Sequence, residues 1–329
     1  MMKLRMLELA DILHRMTDEE HILNSRALVE ELTRRGHPAD RRSVYRDIEA
    51  LTAFGEDIVT TSKGFYLRNR RFSLAEIMLL ISAVQAAPFI TETKTKALMQ
   101  KLTSYLSVYQ EEGIKNATNI SGVKFKNEEV YRTIELINYG IASRRTISFL
   151  YYKRSIMRRD VVQRRGKRYE VSPYAMVWVQ DRYYLISNMK GKEGLTHFRL
   201  DRIRDVRIES DPVRPVCEVS EYEDKFDAAD YASKCLNMFG GEVKKIRLRC
   251  HMDLLNELFD RFGEDIPVKK DGEEHFIALV EAAVSEGFIN WVCQYGARVE
   301  VLDPPELRDS VAIRLKEAAK VYAEAEDNA

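Results

Sequence analysis

The chain has 329 residues, 45% hydrophobic and 32% charged, the make-up of a globular protein with several cores rather than of a disordered chain. No apolar run approaches the roughly 18 residues of a membrane helix, and charge interrupts the opening MMKLRMLELADILHRM, so a cytoplasmic protein without signal peptide or membrane partner is expected. A net charge of zero hides an asymmetry: residues 124–210 hold 20 Lys and Arg against 10 Asp and Glu, and 211–329 hold 15 against 26, so the basic middle either meets an anionic partner or packs beside the acidic tail.

In chain order, Lys3–Met16 carries a helical stripe of Leu4, Leu7, Ile12 and Leu13, with Met6 and Leu9 beside it. A second helix fits Arg26–Arg35, capped by Ser25 and stopped by Gly36. Asp40 is placed to cap a third, RRSVYRDIEALTAF, which buries Val44, Ile48 and Leu51 and ends at Gly55. Ile58–Leu67 then alternates and is broken by Lys63-Gly64, as a hairpin would be. Three helices and a hairpin make residues 1–70 a winged helix-turn-helix. Residues 71–142 read as a helical connector: a capping box at Ser73 to Glu76, a second helix over Thr91–Tyr109, a joint at Gly113–Gly122 and a helix near Asn127–Ile141.

Over residues 143–210 the period changes to two. TISFLYYK, KRYEVSPYAMVWV, RYYLIS, LTHFRL and IRDVRI are the strands of a small barrel or curled sheet. In residues 211–329 a linker precedes the order strand (KIRLRC), helix (Asp253–Phe262), strand (Ile266–Val268), strand (EEHFIALVEA), helix (Gly287–Tyr295), strand (ARVEVL), which is a ferredoxin-like split. A final helix from Glu306 to about Ala323 presents Leu307, Val311, Leu315 and Ala318 on one face. The fold class is therefore α+β and multidomain.

Chemistry concentrates in two places. Arg41, Arg42, Tyr45 and Arg46 lie off the apolar face of the third helix near its start, the end that enters the major groove in a helix-turn-helix; there Arg reads guanine, and Ser43 or Tyr45 holds phosphate. Ser25 and Lys63 are lesser phosphate candidates. The alternative is a solvated face compensated by Asp47 and Glu49. In the barrel, His197 and Arg199 share a strand face and Arg202 follows, a set able to converge on an anion unless neighbouring acids neutralise it. Ser172 and Tyr174 share another face, and Tyr184 is out of phase with Tyr183 and Leu185. The run from Arg164 to Arg168 reads as an exposed turn. Cys217, Cys235, Cys250 and Cys293 form no CxxC and are expected to be reduced core residues. No nucleophile elbow, P-loop, dinucleotide or HExxH pattern occurs, so no enzyme, metal or cofactor is expected.

The stretch from Asp40 to Leu51, followed by Lys63 to Leu67, resembles the recognition helix and wing of bacterial regulators related to the DeoR and YafY groups. Val171-Ser172-Pro173-Tyr174, Tyr183-Tyr184-Leu185-Ile186 and His197-Phe198-Arg199-Leu200-Asp201-Arg202-Ile203 are similar to the WYL domain, an Sm-like β-barrel, with Tyr183 where the family's Trp stands. Trp291-Val292-Cys293-Gln294-Tyr295-Gly296 resembles the C-terminal extension that accompanies WYL domains. The resemblance implies a homodimeric transcription regulator that binds a double-stranded DNA operator. It also implies a pocket, with Tyr151, Ser172, Tyr174, Tyr184, His197, Arg199 and Arg202 as candidates, that senses a small anionic or oligonucleotide effector. The alternative is a nucleic-acid-processing or defence accessory protein that holds single strands on its basic barrel.

Overall fold

In the computed structural model, which describes residues 2–117, 124, 129–157, 160–223 and 225–326, the chain folds as two units, Met1–Asn127 and Glu128–Ala329. The first begins with α1 (Met2–Met16), α2 (Ser25–Arg34) and α3 (Arg41–Phe54), then a hairpin of β1 (Ile58–Thr61) and β2 (Gly64–Leu67). The Asp40 carboxylate accepts the Ser43 N–H at 2.7 Å, and Gly55 at φ 119° lets the chain leave α3 through the left-handed region. The cap of α2 is Asn24 rather than Ser25: its side-chain oxygen accepts the Ala27 N–H at 2.9 Å, one residue earlier than the sequence suggested. Leu9, Ile12, Leu13, Leu28, Leu32, Val44, Ile48, Phe65 and Leu67 form the core.

The buried stripe of α1 departs from expectation because Leu4 and Leu7 are 54% and 67% exposed. Where those leucines were expected to pack, Arg5 crosses to α3 and donates from Nε and Nη2 to the two oxygens of Asp47 at 2.8 and 3.1 Å. This pair is largely shielded from solvent.

Three further helices complete the unit: α4 (Leu74–Ala86), α5 (Glu92–Thr103) and α6 (Val108–Ala117). Ser73 and Glu76 form the expected reciprocal cap of α4. The single helix expected over Thr91–Tyr109 is two, because Ser107 starts a new one: its hydroxyl accepts the Gln110 N–H at 3.1 Å and donates to Asp18 at 2.6 Å. Arg15 to Glu111 at 3.1 Å and the His21 ring stacked 3.6 Å from Tyr109 also tie α6 to the first helices' end of the unit. Of the expected joint at Gly113–Gly122, residues 118–122 lie outside the described residues, as does Asn127.

The second unit opens with α7 (Val130–Ala142), read from sequence as the end of the connector. Its apolar Ile134, Ile137 and Ile141 pack into the core of the following sheet. Gly140 permits this, since a Cβ there would meet Ile147 at 2.6 Å. The sheet comprises β3 (Arg145–Arg154), β4 (Asp160–Val162), β5 (Tyr169–Val179), β6 (Arg182–Met189), β7 (Thr196–Arg199) and β8 (Ile203–Pro212). Its order is β4-β3-β5-β6-β7, with β8 on the other side of β3, so β3 pairs with three strands and the sheet curls into a half-barrel. Phe149, Tyr151, Tyr169, Leu185 and Phe198 fill it. The linker contains a short helix that sequence periodicity did not reveal, α8 (Ala228–Lys234), capped by Asp227.

The rest of the chain is β9 (Val243–His251), α9 (Leu255–Phe262), β10 (Val268–Asp271), β11 (His275–Ala283), α10 (Glu286–Cys293), β12 (Val299–Asp303) and α11 (Pro305–Glu326). The four strands pair antiparallel in the order β10-β11-β9-β12 around Ile246, Leu248, Phe276, Val280, Phe288 and Val301. On α11, Leu307 and Val311 are buried as expected, but Leu315 is 40% exposed and Ala318 is exposed, because the last turns run past this core. Cys235 and Cys250 are buried, whereas Cys217, expected in a core, is exposed.

Asp47→Asn should lower the stability of the first unit by about 3 kcal/mol in urea unfolding, because Arg5 is left shielded without its counter-charge. Arg5→Met with Asp47→Leu should recover most of that loss, which distinguishes the orphaned charge from a general packing defect.

Candidate nucleic-acid interface and ligand sites

The Arg5–Asp47 pair decides what α3 presents. Of the two acids expected to compensate the arginines of this helix, Asp47 is turned inward and occupied by Arg5, while Glu49 remains exposed. Arg41, Arg42 and Arg46 remain on the exposed face, and neither Arg42 nor Arg46 makes a side-chain hydrogen bond or ion pair among the described residues. Arg41 bonds the Tyr45 hydroxyl at 3.3 Å and lies 5.6 Å from the centre of its ring, which holds the Tyr45 phenol below its ordinary pKa.

Tyr45 also joins the hairpin to this face. Its ring meets Phe65 of β2 edge-on at 5.3 Å, and Ser25 at the start of α2 is near enough to help lower its phenol's pKa, after Arg41. Leu23 and Phe65 exchange backbone hydrogen bonds of 3.1 and 2.8 Å, which fix the hairpin against the entry to α2. At Gly64, φ is 143° and a Cβ would sit 2.3 Å from the Leu23 carbonyl oxygen, so the approach requires glycine. Ser25, Arg41, Tyr45 and the hairpin are thereby brought together, with Lys63 exposed at the hairpin's tip; Ser43 is tied only to the Asp40 cap, through its N–H.

The seven barrel candidates divide into three groups. Ser172 accepts the Arg214 N–H at 2.9 Å and Tyr174 donates to the Arg214 carbonyl at 2.8 Å, so both fasten the chain after β8; burial pushes the Tyr174 phenol up to about 12. Ser172 lines a cleft of about 510 Å³ with Asn188 and Arg214. His197 lines a different one, of about 540 Å³, with Tyr222, Tyr231 and Phe239. Its Nε2 is 3.0 Å from the Tyr231 hydroxyl, and burial pushes its pKa below the ordinary value, so the ring is held neutral with one nitrogen occupied by Tyr231.

The third group is Tyr151, Tyr184, Arg199 and Arg202. Tyr184 and Arg199 are cross-strand neighbours on β6 and β7, and the buried Tyr151 hydroxyl accepts the Arg199 N–H at 3.1 Å. Arg199 is clamped by Asp201 through bonds of 3.0 and 2.9 Å. Arg202, half-buried in the short turn between β7 and β8, makes no hydrogen bond or ion pair among the described residues. The run from Arg164 to Lys167 is an exposed turn, whereas Arg168 is bound to Ser148 and Asp205.

Sequence reasoning missed Tyr231 and Arg214, which hold the expected site residues, because both lie in the stretch read as linker. The available signal was Asp227, a capping residue opening AADYASK. Among the described residues, no group of three or more His, Cys, Asp or Glu could hold a metal ion, and no helix is long and apolar enough to cross a membrane.

The WYL domain model matches residues 132–208, from α7 into β8, and the WCX domain model matches residues 242–319, from β9 into α11. The chain is also similar to the uncharacterized HTH-type transcriptional regulator YobV of Bacillus subtilis (strain 168), 23% identical over 300 residues that cover 85% of this chain and 89% of that one. Proteasome accessory factor B/C (PafBC) of Arthrobacter aurescens aligns at 19% identity and a TM-score of 0.28 over 94% of this chain, which spans 47% of that longer one. A CRISPR Cas-related protein aligns at 12% identity and a TM-score of 0.37, covering 77% of this chain and 72% of that one. Residues 132–208 thus match the WYL domain and residues 242–319 the WCX domain that follows it, each about a quarter of the chain.

Proposed function

We propose that this is a cytoplasmic, non-enzymatic transcription regulator that reads duplex DNA with α3. In this reading residues 1–70 are a winged helix-turn-helix and the WCX domain is a ferredoxin-like split, in line with its strand order β10-β11-β9-β12. The observation that carries it is Arg42 and Arg46, exposed near the start of α3 with no side-chain hydrogen bond or ion pair among the described residues, where Asp47 is withdrawn by Arg5 and only the Asp40 cap acts electrostatically on Arg46. Exposed arginines there suit guanine edges in a major groove, and Ser25 and Lys63 suit the flanking phosphates. The similarity to the HTH-type transcriptional regulator YobV of B. subtilis supports this reading. One reading head of near-neutral charge supplies little affinity, so the working species is a homodimer on two half-sites.

The regulation we propose is an anionic, phosphate-bearing effector, a nucleotide or oligonucleotide, held at the corner of Tyr184, Arg199 and Arg202. Arg202 is the available cation, and its planar fork suits phosphate oxygens. His197 contributes no charge to such a site; its role is to join the half-barrel to the segment carrying Tyr231 and Met238.

Anisotropy with duplex fragments of the protein's own promoter tests the DNA reading: Arg42→Ala and Arg46→Ala should each cost about 1–3 kcal/mol of specific affinity with unfolding unchanged, and Lys63→Ala should weaken all sequences alike. Equal operator affinity in both arginine variants would sink the assignment. For the effector, calorimetry with nucleotides and short single strands should show binding that Arg202→Ala weakens about tenfold without a change in thermal midpoint. His197 is depressed in the fold, so its unfolded form takes the proton first as pH falls. Its contribution is complete above the ordinary value of 6.5 and is lost below it, toward the folded value. His197→Gln should therefore lose less thermal stability on acidification from neutrality than the parent.

A further inference from the structure

Arg261, in the last turn of α9, is a cation without a counter-charge. Its Nε is sealed from solvent with no hydrogen-bond partner, Nη2 makes a long 3.5 Å contact to the Ser233 carbonyl, and the guanidinium lies 5.5 Å from the centre of the Phe262 ring. It forms no ion pair among the described residues, although Glu257 and Asp260 lie on the same helix. Arg249, Arg298, Arg308 and Arg314, in the same domain, each reach a carboxylate. Burial pushes the Arg261 pKa below its ordinary value, in keeping with a group that lacks an anion.

This side chain lines a cleft of about 430 Å³ between α9, α10 and the turn joining β5 to β6. Glu257 and Asp260 line it too, with the amides of Asn290 and Gln294 and the indole of Trp291. The remaining wall includes Gln180 and Asn237, at φ 46° and 53°. The left-handed backbone at Gln180 belongs to the two-residue turn between β5 and β6, where Asp181 is left-handed as well. A shielded, unpaired guanidinium is costly to keep, and a ligand that supplies the missing anion removes the cost.

We propose that this cleft binds a small zwitterion of the α-amino-acid kind, its carboxylate on Arg261, its ammonium on Glu257 or Asp260, and its side chain along Trp291. Two carboxylates beside one cation oppose a multiply charged phosphate, whereas a zwitterion satisfies both signs. The amides both donate and accept, and the volume lies within the ordinary range for small-ligand sites. Gln180 belongs to the WYL domain and Asn237 to the segment before the WCX domain, so the occupant would touch both. The site shares no residue with the proposed effector corner.

The test is thermal unfolding and calorimetry of the full chain with each common amino acid at millimolar concentration, with inorganic phosphate as a control. At least one amino acid should raise the midpoint by several degrees, and its des-amino and decarboxylated analogues should bind about tenfold or more weakly. Arg261→Met should abolish this shift while leaving the free protein as stable as the parent or more so. If that variant fails to fold, Glu257→Gln with Asp260→Asn, at exposed positions, should lose the preference for the amino acid over its des-amino analogue. The proposal is overturned if no amino acid binds, if phosphate binds more tightly, if Arg261→Met binds like the parent, or if the exposed double variant keeps that preference.

Discussion

The bond between Arg5 and Asp47 governs the character of the first unit. One shielded carboxylate can neutralise one guanidinium, and the fold assigns it to Arg5 of α1 instead of to the arginines of its own helix. That assignment fixes the crossing of α1 and α3 and leaves the outer face of α3 with a surplus of positive charge. In the free protein the surplus is tolerable because the face is solvated; with a polyanion against it, each arginine exchanges water for phosphate or base contacts and releases counterions from the duplex.

Much of the fold was legible because its signals are local. The Asp40 cap, the Gly55 stop, the Ser73–Glu76 box and the alternation of β3, β5 and β6 each depend on a few adjacent residues. What failed depended on distant partners. Periodicity ranked Leu4 and Leu7 as buried because nothing nearby announces that Arg5 takes their place. Ser107 divides an apolar helical stretch in two only because Asp18, far off in sequence, receives its hydroxyl. The candidate site shows the same division: α3 and its arginines could be read from spacing, whereas a shared strand face for His197 and Arg199 said nothing of Tyr231 or Asp201, which give the two side chains different employment.

The second unit rests on a different economy. β3 serves as partner to β4, β5 and β8, and the side chains that were candidates for ligand contact are largely spent on holding later segments to this sheet. Ser172 and Tyr174 take the chain after β8, and His197 takes the segment near Met238. The groups left over, Arg202 and Arg261, stand out against this saturation.

Gly64 carries a consequence for how such proteins diversify. Neighbouring Ser62 and Lys63 are exposed, so the tip of the hairpin can be rewritten without disturbing its packing. The glycine between that tip and Leu23 cannot gain a single carbon without displacing the hairpin from α2. In a saturation scan of the first unit, tolerance should therefore fall abruptly between adjacent codons, and drift in the lineage should alter what the tip touches while leaving the height at which it is carried unchanged.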